Sequence, residues 1–249
     1  MANSPKLGWQ VVEYRMGKGG YGEVSSYDDV RYKGPTNEYK QAVMAAAYRK
    51  MLGSLKGKRV LDVGCGTGRG VVDFADEATL TVGTDASLDM LSFAAKKASG
   101  SRGCCFSASY AQELPFRSES FDVVTSLNFL HLFNHENQRQ MVSEMKRVLK
   151  PNGVLVLEFD NALHGLGLGL WKRWSGRERG SLPGEIRQVL GDGCVVELVY
   201  GAVLPVVWRI FHRFPRLFLP VEKITRLPVL NRLAHRVYYK VRKSHGCAM

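Results

Sequence analysis

An apolar run, Val60-Leu61-Asp62-Val63, passes directly into glycines at every second position, Gly64-Cys65-Gly66-Thr67-Gly68, and this constrains the chain more than any other feature. The pattern is a buried strand feeding a tight strand-to-helix turn, where glycine tolerates positive φ and lets a ligand approach the main chain. A second short apolar strand, Thr81-Val82-Gly83-Thr84-Asp85, ends in a carboxylate 21 residues after Gly64. In a doubly wound α/β fold that interval brings neighbouring strand ends together. A nucleoside fits between them: the glycine turn passes under it, and the carboxylate accepts hydrogen bonds from both ribose hydroxyls.

Glycine spacing separates the nucleoside cofactors. The dinucleotide fingerprint is present only in loose form, and Asp62 inside the strand would repel a diphosphate. A zwitterionic ligand with a free amino group suits the turn better. The D-x-G-x-G-x-G run, with an acid closing the next strand, resembles motif I and its partner in class I S-adenosylmethionine-dependent methyltransferases. The resemblance continues through Phe121 to His131 and Met145 to Phe159, where that family places its fourth and fifth strands, the latter after a Pro-Asn-Gly turn. Ala111-Gln112-Glu113-Leu114-Pro115-Phe116 is similar to the A-E-x-L-P-F loop of the branch containing ubiquinone and menaquinone C-methyltransferases and many natural-product methyltransferases. The likeness is close over about residues 55 to 160 and loose on the flanks.

The resemblance implies S-adenosyl-L-methionine as cofactor and no metal. Asp62, Gly64, Cys65, Gly66 and Gly68 would hold its methionine end, and Asp85 and Ala86 its ribose. Tyr110, Ala111 and Gln112 would meet the adenine. One departure affects that last contact: the branch usually carries Gly-Asp before the loop, and here Ser109 and Tyr110 stand in those places. Tyr110 either takes over the adenine contact or packs against the protein. Asn128, at the sheet tip, would orient the acceptor or the cofactor's amino group. The segment Tyr27 to Tyr32 resembles the family's aromatic entry segment, which puts Tyr32 beside the sulfonium and Arg31 at the cofactor carboxylate; alternatively these residues only cap a helix from Thr36 to Leu52. His131, just past the fourth strand, is the first candidate for general base and His164 the second, and either can equally be structural.

The implied fold is α/β, a Rossmann-like doubly wound seven-stranded sheet, mostly parallel with an antiparallel seventh strand at Val237 to Val241. A chain of 249 residues that is 45% apolar can bury one full core. The expected organisation is a single domain over 1–249: an N-terminal arm and helical cap to residue 54, a cofactor-binding core over 55–160, and a C-terminal half over 161–249. The five cysteines form no C-x-x-C pair, and Cys104 and Cys105 are expected to be buried small hydrophobes on a strand. With no signal peptide and no run of 18 apolar residues, the expected location is cytoplasmic. Gly17-Lys18-Gly19-Gly20-Tyr21-Gly22-Glu23-Val24 fits a protein-kinase glycine loop, but H-R-D and D-F-G are missing, so phosphoryl transfer would lack its base and metal ligands.

Charge is uneven. Residues 1–160 carry 20 Lys+Arg against 18 Asp+Glu, whereas residues 161–249 carry 15 against 5. Within the basic half, an excursion over about 201–233 interleaves aromatic residues with Arg209, Arg213, Arg216 and further cations. It could cover a lipophilic or anionic small-molecule acceptor, lie on an anionic membrane surface, or follow a phosphate backbone; a merely solvated cover is the plain alternative. Nucleic acid ranks low because no RNA-binding appendage is recognisable. The sequence therefore points to methyl transfer to a small lipophilic or anionic acceptor. A tRNA or rRNA methyltransferase and a non-catalytic S-adenosylmethionine-binding subunit are the alternatives. Oligomeric state is not legible.

Overall fold

The computed structural model describes residues 26–164, 180–202 and 234–244. The glycine-rich segment at 17–24, a glycine-leucine run at 165–170 with the basic-aromatic cluster Lys172-Arg173-Trp174 after it, residues 203–233 of the basic excursion, and Cys247 lie outside the described residues.

Seven strands form one sheet: β1 (Arg59–Val63), β2 (Leu80–Asp85), β3 (Cys104–Ala108), β4 (Phe121–Ser126), β5 (Leu149–Asp160), β6 (Cys194–Ala202) and β7 (Arg236–Lys243). Their order is β3-β2-β1-β4-β5-β7-β6. The first five run parallel, and β7 is antiparallel to both β5 and β6. The central strands β1 and β4 are almost wholly buried, as expected where helices cover both faces of a parallel sheet. Strand order reverses between β1 and β4, so the loops leaving their carboxyl ends diverge and open a crevice there.

Period-two alternation divides the core into two layers. Leu61, Val63, Val124 and Leu155 pack on one face with Met141, Val142 and Met145 of α5 (His135–Val148) and with Ile186 and Val189 of α6 (Pro183–Leu190). Val60, Val123, Val156 and Tyr238 pack on the other, under Val43, Met44, Ala47 and Met51 of α2 (Pro35–Leu52) and Phe74 of α3 (Arg69–Ala75). Helix α2 starts one residue earlier than its sequence suggests, because Pro35 is suited to the first helical position. A short helix, α1 (Tyr27–Tyr32), precedes it, and α4 (Leu88–Lys97) follows β2 with Ser87 as its N-cap.

Cys104 and Cys105 lie on β3 as expected, but they are not both buried: Cys104 is half-buried and Cys105 is exposed. β3 is an edge strand of the sheet, so one flank and part of its outer face meet solvent.

Candidate functional site

The glycine turn after β1 adopts the backbone that its spacing anticipates. Gly64, Gly66 and Gly68 have φ of 74°, 53° and 73°. At Gly66 an added Cβ would meet nothing within 4 Å, whereas at Gly68 it would come within 2.7 Å of Ala94 Cβ. Gly66 thus borders open space, and Gly68 serves close helix packing. The Asp85 carboxylate ties β2 to this turn: Gly66 N–H donates to Oδ2 and Ser87 N–H to Oδ1, each at 2.9 Å. Burial raises the Asp85 pKa against the opposing pull of these N–H groups. Ser109 N–H donates to the Asp85 carbonyl at 3.1 Å, which brings the loop carrying Tyr110, Ala111 and Gln112 to the same strand end.

Beneath the turn, Asp62 is 5% exposed and accepts a 2.7 Å hydrogen bond from Thr125 Oγ1. Burial pushes its pKa up to about 7, with the Thr125 bond opposing and the nearby Asp85 carboxylate adding. Its Oδ2 lies where a Cβ at Gly70 would fall, at 2.9 Å, so Gly70 is required to let this carboxylate sit under the helix start. Burial also pushes the Cys65 thiol up, which keeps it protonated.

Helix α1 is docked onto the turn. Thr67 Oγ1 donates to Asp28 Oδ1 at 2.6 Å, and Lys97 pairs with the same carboxylate. The Arg69 guanidinium stacks on the Tyr32 ring, 3.9 Å from its centroid. Between α1, α2 and the glycine turn lies a cavity of about 380 Å³. Its wall contains Tyr32, Asp62, Gly64, Cys65, Gly66 and Asn128, so it brings together six of the residues singled out in the sequence. Arg31, Gly68, Asp85, Ala86, Tyr110, Ala111 and Gln112 do not line it, and neither His131 nor His164 does. Tyr110 is 51% exposed. Arg31 lies within electrostatic range of Lys40 and Arg236.

The inner end of the cavity is set by a charged group on β5 and β7. Glu158 is 1% exposed and lines the cavity; Asn128 N–H donates to its Oε2 at 3.3 Å. Tyr238 stands opposite Glu158 in register and Arg236 opposite Asp160. Arg236 bridges both carboxylates, at 3.0 Å from Glu158 Oε1 and closer to Asp160, and its Nη1 is 3.3 Å from His131 Nδ1. The always-charged guanidinium can only donate, so Nδ1 is the accepting nitrogen of a neutral imidazole. His131 therefore braces Arg236 in this geometry. Burial raises the Glu158 pKa, against the nearby Arg236 cation. His164 is 3% exposed and packs edge-on against His235, with ring centroids 4.9 Å apart.

Glu158, Asp160 and Arg236 escaped the sequence reading. The available signal was a carboxylate interrupting the apolar run Val154-Leu155-Val156-Leu157-Glu158-Phe159, but its partner lies 78 positions away, and only the β5–β7 register joins them. Asp28 was not singled out in the sequence either; it lies in the first turn of α1.

Among the cavity-lining residues, the carboxylates Glu38, Asp62, Asp73 and Glu158 outnumber the single full cation, Arg69. A ligand bearing positive charge suits this wall, and the open face at Gly66 can take a group lying against the main chain. Both features fit the sulfonium and ammonium of S-adenosylmethionine.

Residues 60–153 match a family model described as a methyltransferase domain. The chain is 36% identical over 139 residues to a demethylmenaquinone methyltransferase of Renibacterium salmoninarum, a match covering 55% of this chain and 54% of the relative. It spans about half the length of the curated relatives it matches. Among solved structures, magnesium protoporphyrin IX methyltransferase from Synechocystis, crystallised with S-adenosylhomocysteine, superposes with a TM-score of 0.61 at 20% identity, over 96% of this chain and 95% of that one. A [4+2]-cyclase gives 0.60 at 23% identity, over 83% and 81%. Likeness at such identity establishes the fold, and the chemistry has to be argued from the site.

Proposed function

We propose that the protein is an S-adenosylmethionine-dependent methyltransferase acting on a small acceptor, a reading supported by the match of residues 60–153 to a methyltransferase-domain model and by the sheet order. The observation that carries this reading is the cavity running from the glycine turn to Glu158 under α1 and α2. When bound, the cofactor supplies an activated methyl group on sulfur. Asp85 and the Gly64–Gly68 turn would hold the nucleoside and methionine ends, and Asp62 would compensate positive charge. Tyr27 and Tyr32 contribute aromatic surface to the cavity wall. Asn128, with φ of 55°, turns the chain after β4, and its N–H donates to Glu158 Oε2. Holding two reactants in line inside such a cavity supplies much of the rate of a bimolecular transfer.

The acidic wall favours a neutral or cationic group at the inner end. An anionic or lipid-like acceptor would have to be recruited by the basic 203–233 segment, outside the described residues. No helix among the described residues is long and apolar enough to cross a membrane.

Calorimetry tests the cofactor assignment. S-adenosylhomocysteine is expected to bind more tightly than NAD, and Gly66→Trp, which fills the open face of the turn, to abolish that binding. Tighter binding of NAD overturns the reading.

A further inference from the structure

The ends of β2 and β3 stand apart from the cavity, since Asp85, Ala86, Tyr110, Ala111 and Gln112 are all absent from its wall. A ribose on Asp85 therefore leaves the base outside the cavity, toward the loop that follows β3. Asp85 is opposite Ala108 in the β2–β3 register, and Ser109 N–H donates to the Asp85 carbonyl at 3.1 Å. Tyr110 comes next, two residues beyond the position paired with the ribose carboxylate.

This loop is held on several sides. Ala111 and Leu114 are buried in the core, and Glu113 N–H donates back to the Tyr110 carbonyl at 3.1 Å. From α5, Glu144 Oε2 accepts from Leu114 N–H at 3.0 Å, while Arg147 donates to the Leu114 carbonyl at 2.9 Å and to the Phe116 carbonyl at 2.8 Å. Arg147 is itself paired with Glu144 through two N–H groups, at 2.8 and 2.9 Å. On this fixed main chain Tyr110 is 51% exposed, directly beside the buried Ala111. An aromatic ring presented in this way offers a flat apolar face. The acids closest to it along these loops, Asp89 and Glu113, are exposed as well, so a hydrogen bond from an amino group to either competes with water. Ring contact removes apolar area from water and does not depend on which groups the edge of a base carries.

We propose that Tyr110 holds the cofactor's base by ring contact and that the exocyclic amino group of the adenine goes unread, so that the site tolerates change at that group. This rests on the S-adenosylmethionine reading, with the ribose on Asp85. Glu144 and Arg147 fix the loop from which Tyr110 projects.

Calorimetry with S-adenosylhomocysteine and with its analogue carrying hydrogen in place of the 6-amino group tests this, because the two share every ring nitrogen and differ only in the donor. The wild-type protein is expected to bind the analogue no more than about fivefold less tightly, whereas losing a hydrogen bond to a carboxylate costs roughly tenfold or more. Tyr110→Ala is expected to weaken both ligands at least about fivefold, the lower end of the effect of removing an aromatic ring from a base. Tyr110→Phe keeps the ring and is expected to hold both within about twofold of wild type. The ring is half exposed, so neither variant is expected to disturb folding, and the wild-type comparison needs no variant. A larger wild-type preference for S-adenosylhomocysteine, a smaller loss in Tyr110→Ala, or a larger loss in Tyr110→Phe overturns the proposal alone. Failure of the wild-type protein to bind S-adenosylhomocysteine overturns the cofactor reading, and this proposal with it.

Discussion

The ring of Phe129 lies directly against the α-carbon of Gly64: a Cβ at Gly64 would fall 2.3 Å from two ring carbons. Gly64 also has φ of 74°, so two independent costs meet at this position. Gly64→Ala is expected to destabilise the protein by about 2–4 kcal/mol, from positive-φ strain together with overpacking. Adding Phe129→Ala should remove the steric part and leave the backbone part. Urea midpoints of the single and double variants check this, and an additive double variant would mean that the two residues do not clash.

The Asp85 carboxylate does two jobs, fixing the glycine turn through Gly66 N–H and starting α4 through Ser87 N–H. Asp85→Ala is expected to weaken S-adenosylhomocysteine binding by about 1–3 kcal/mol. Asp85→Asn, which retains one acceptor oxygen, should lose less. Calorimetry showing wild-type affinity in both variants would remove Asp85 from the site.

Asp62 predicts a pH dependence. Its folded-state pKa of about 7 lies above the ordinary carboxylate value. Between the two values the unfolded chain releases a proton that the native state keeps, so this group's contribution is fully present below about pH 4 and is lost as pH rises through about 7. Asp62→Asn should therefore be more stable than the ligand-free wild type at pH 8, by on the order of 2–4 kcal/mol, and close to it at pH 4. Matching stability profiles for the two proteins from pH 4 to 8 would contradict the assignment. A cationic ligand placed above Asp62 should draw its proton off, so binding near pH 6.5 is expected to release protons, measurable in buffers of different ionisation enthalpy.

Asp28 holds α1 to Thr67 and Lys97 from a half-exposed position. Its removal should loosen the cavity wall more than the core. Asp28→Ala is expected to weaken S-adenosylhomocysteine roughly three- to tenfold while the urea midpoint barely moves, as for a solvent-screened contact. A large loss of stability with unchanged affinity would show that α1 is a structural element only.

The basic segment supplies a further expectation. Charge reversal at Arg209, Arg213 and Arg216 should raise the acceptor's apparent KM or reduce association with anionic liposomes, leaving S-adenosylhomocysteine affinity within about twofold. The effect should fade as salt rises past ~0.15 M. Liposome sedimentation and acceptor titration at several ionic strengths check it, and insensitivity in both would make these arginines a solvated cover.

The glycine turn and the strand end beside it were legible in the one-dimensional pattern. Three glycines at alternate positions after Val60–Val63 require a turn of positive φ, and an acid 21 residues after Gly64 falls at the next strand end. These are local constraints, set by backbone sterics and by the length of one βαβ unit, so spacing carries them. The seventh strand was legible for the same reason, since its β-branched and aromatic residues mark a strand wherever it pairs. Burial at β3 was not, because edge or centre is a property of sheet order, and Cys105 is exposed. The inner site was not legible either. Glu158 meets Arg236 and Tyr238 only because β7 runs antiparallel beside β5 in one register, and Asp28 reaches Thr67 only because α1 folds back over the glycine turn. The sequence by itself determined the glycine turn and the acid at the next strand end; the tertiary structure decided which buried charges stand beside them, because ion pairs between distant strands follow from register and topology, which no local pattern encodes.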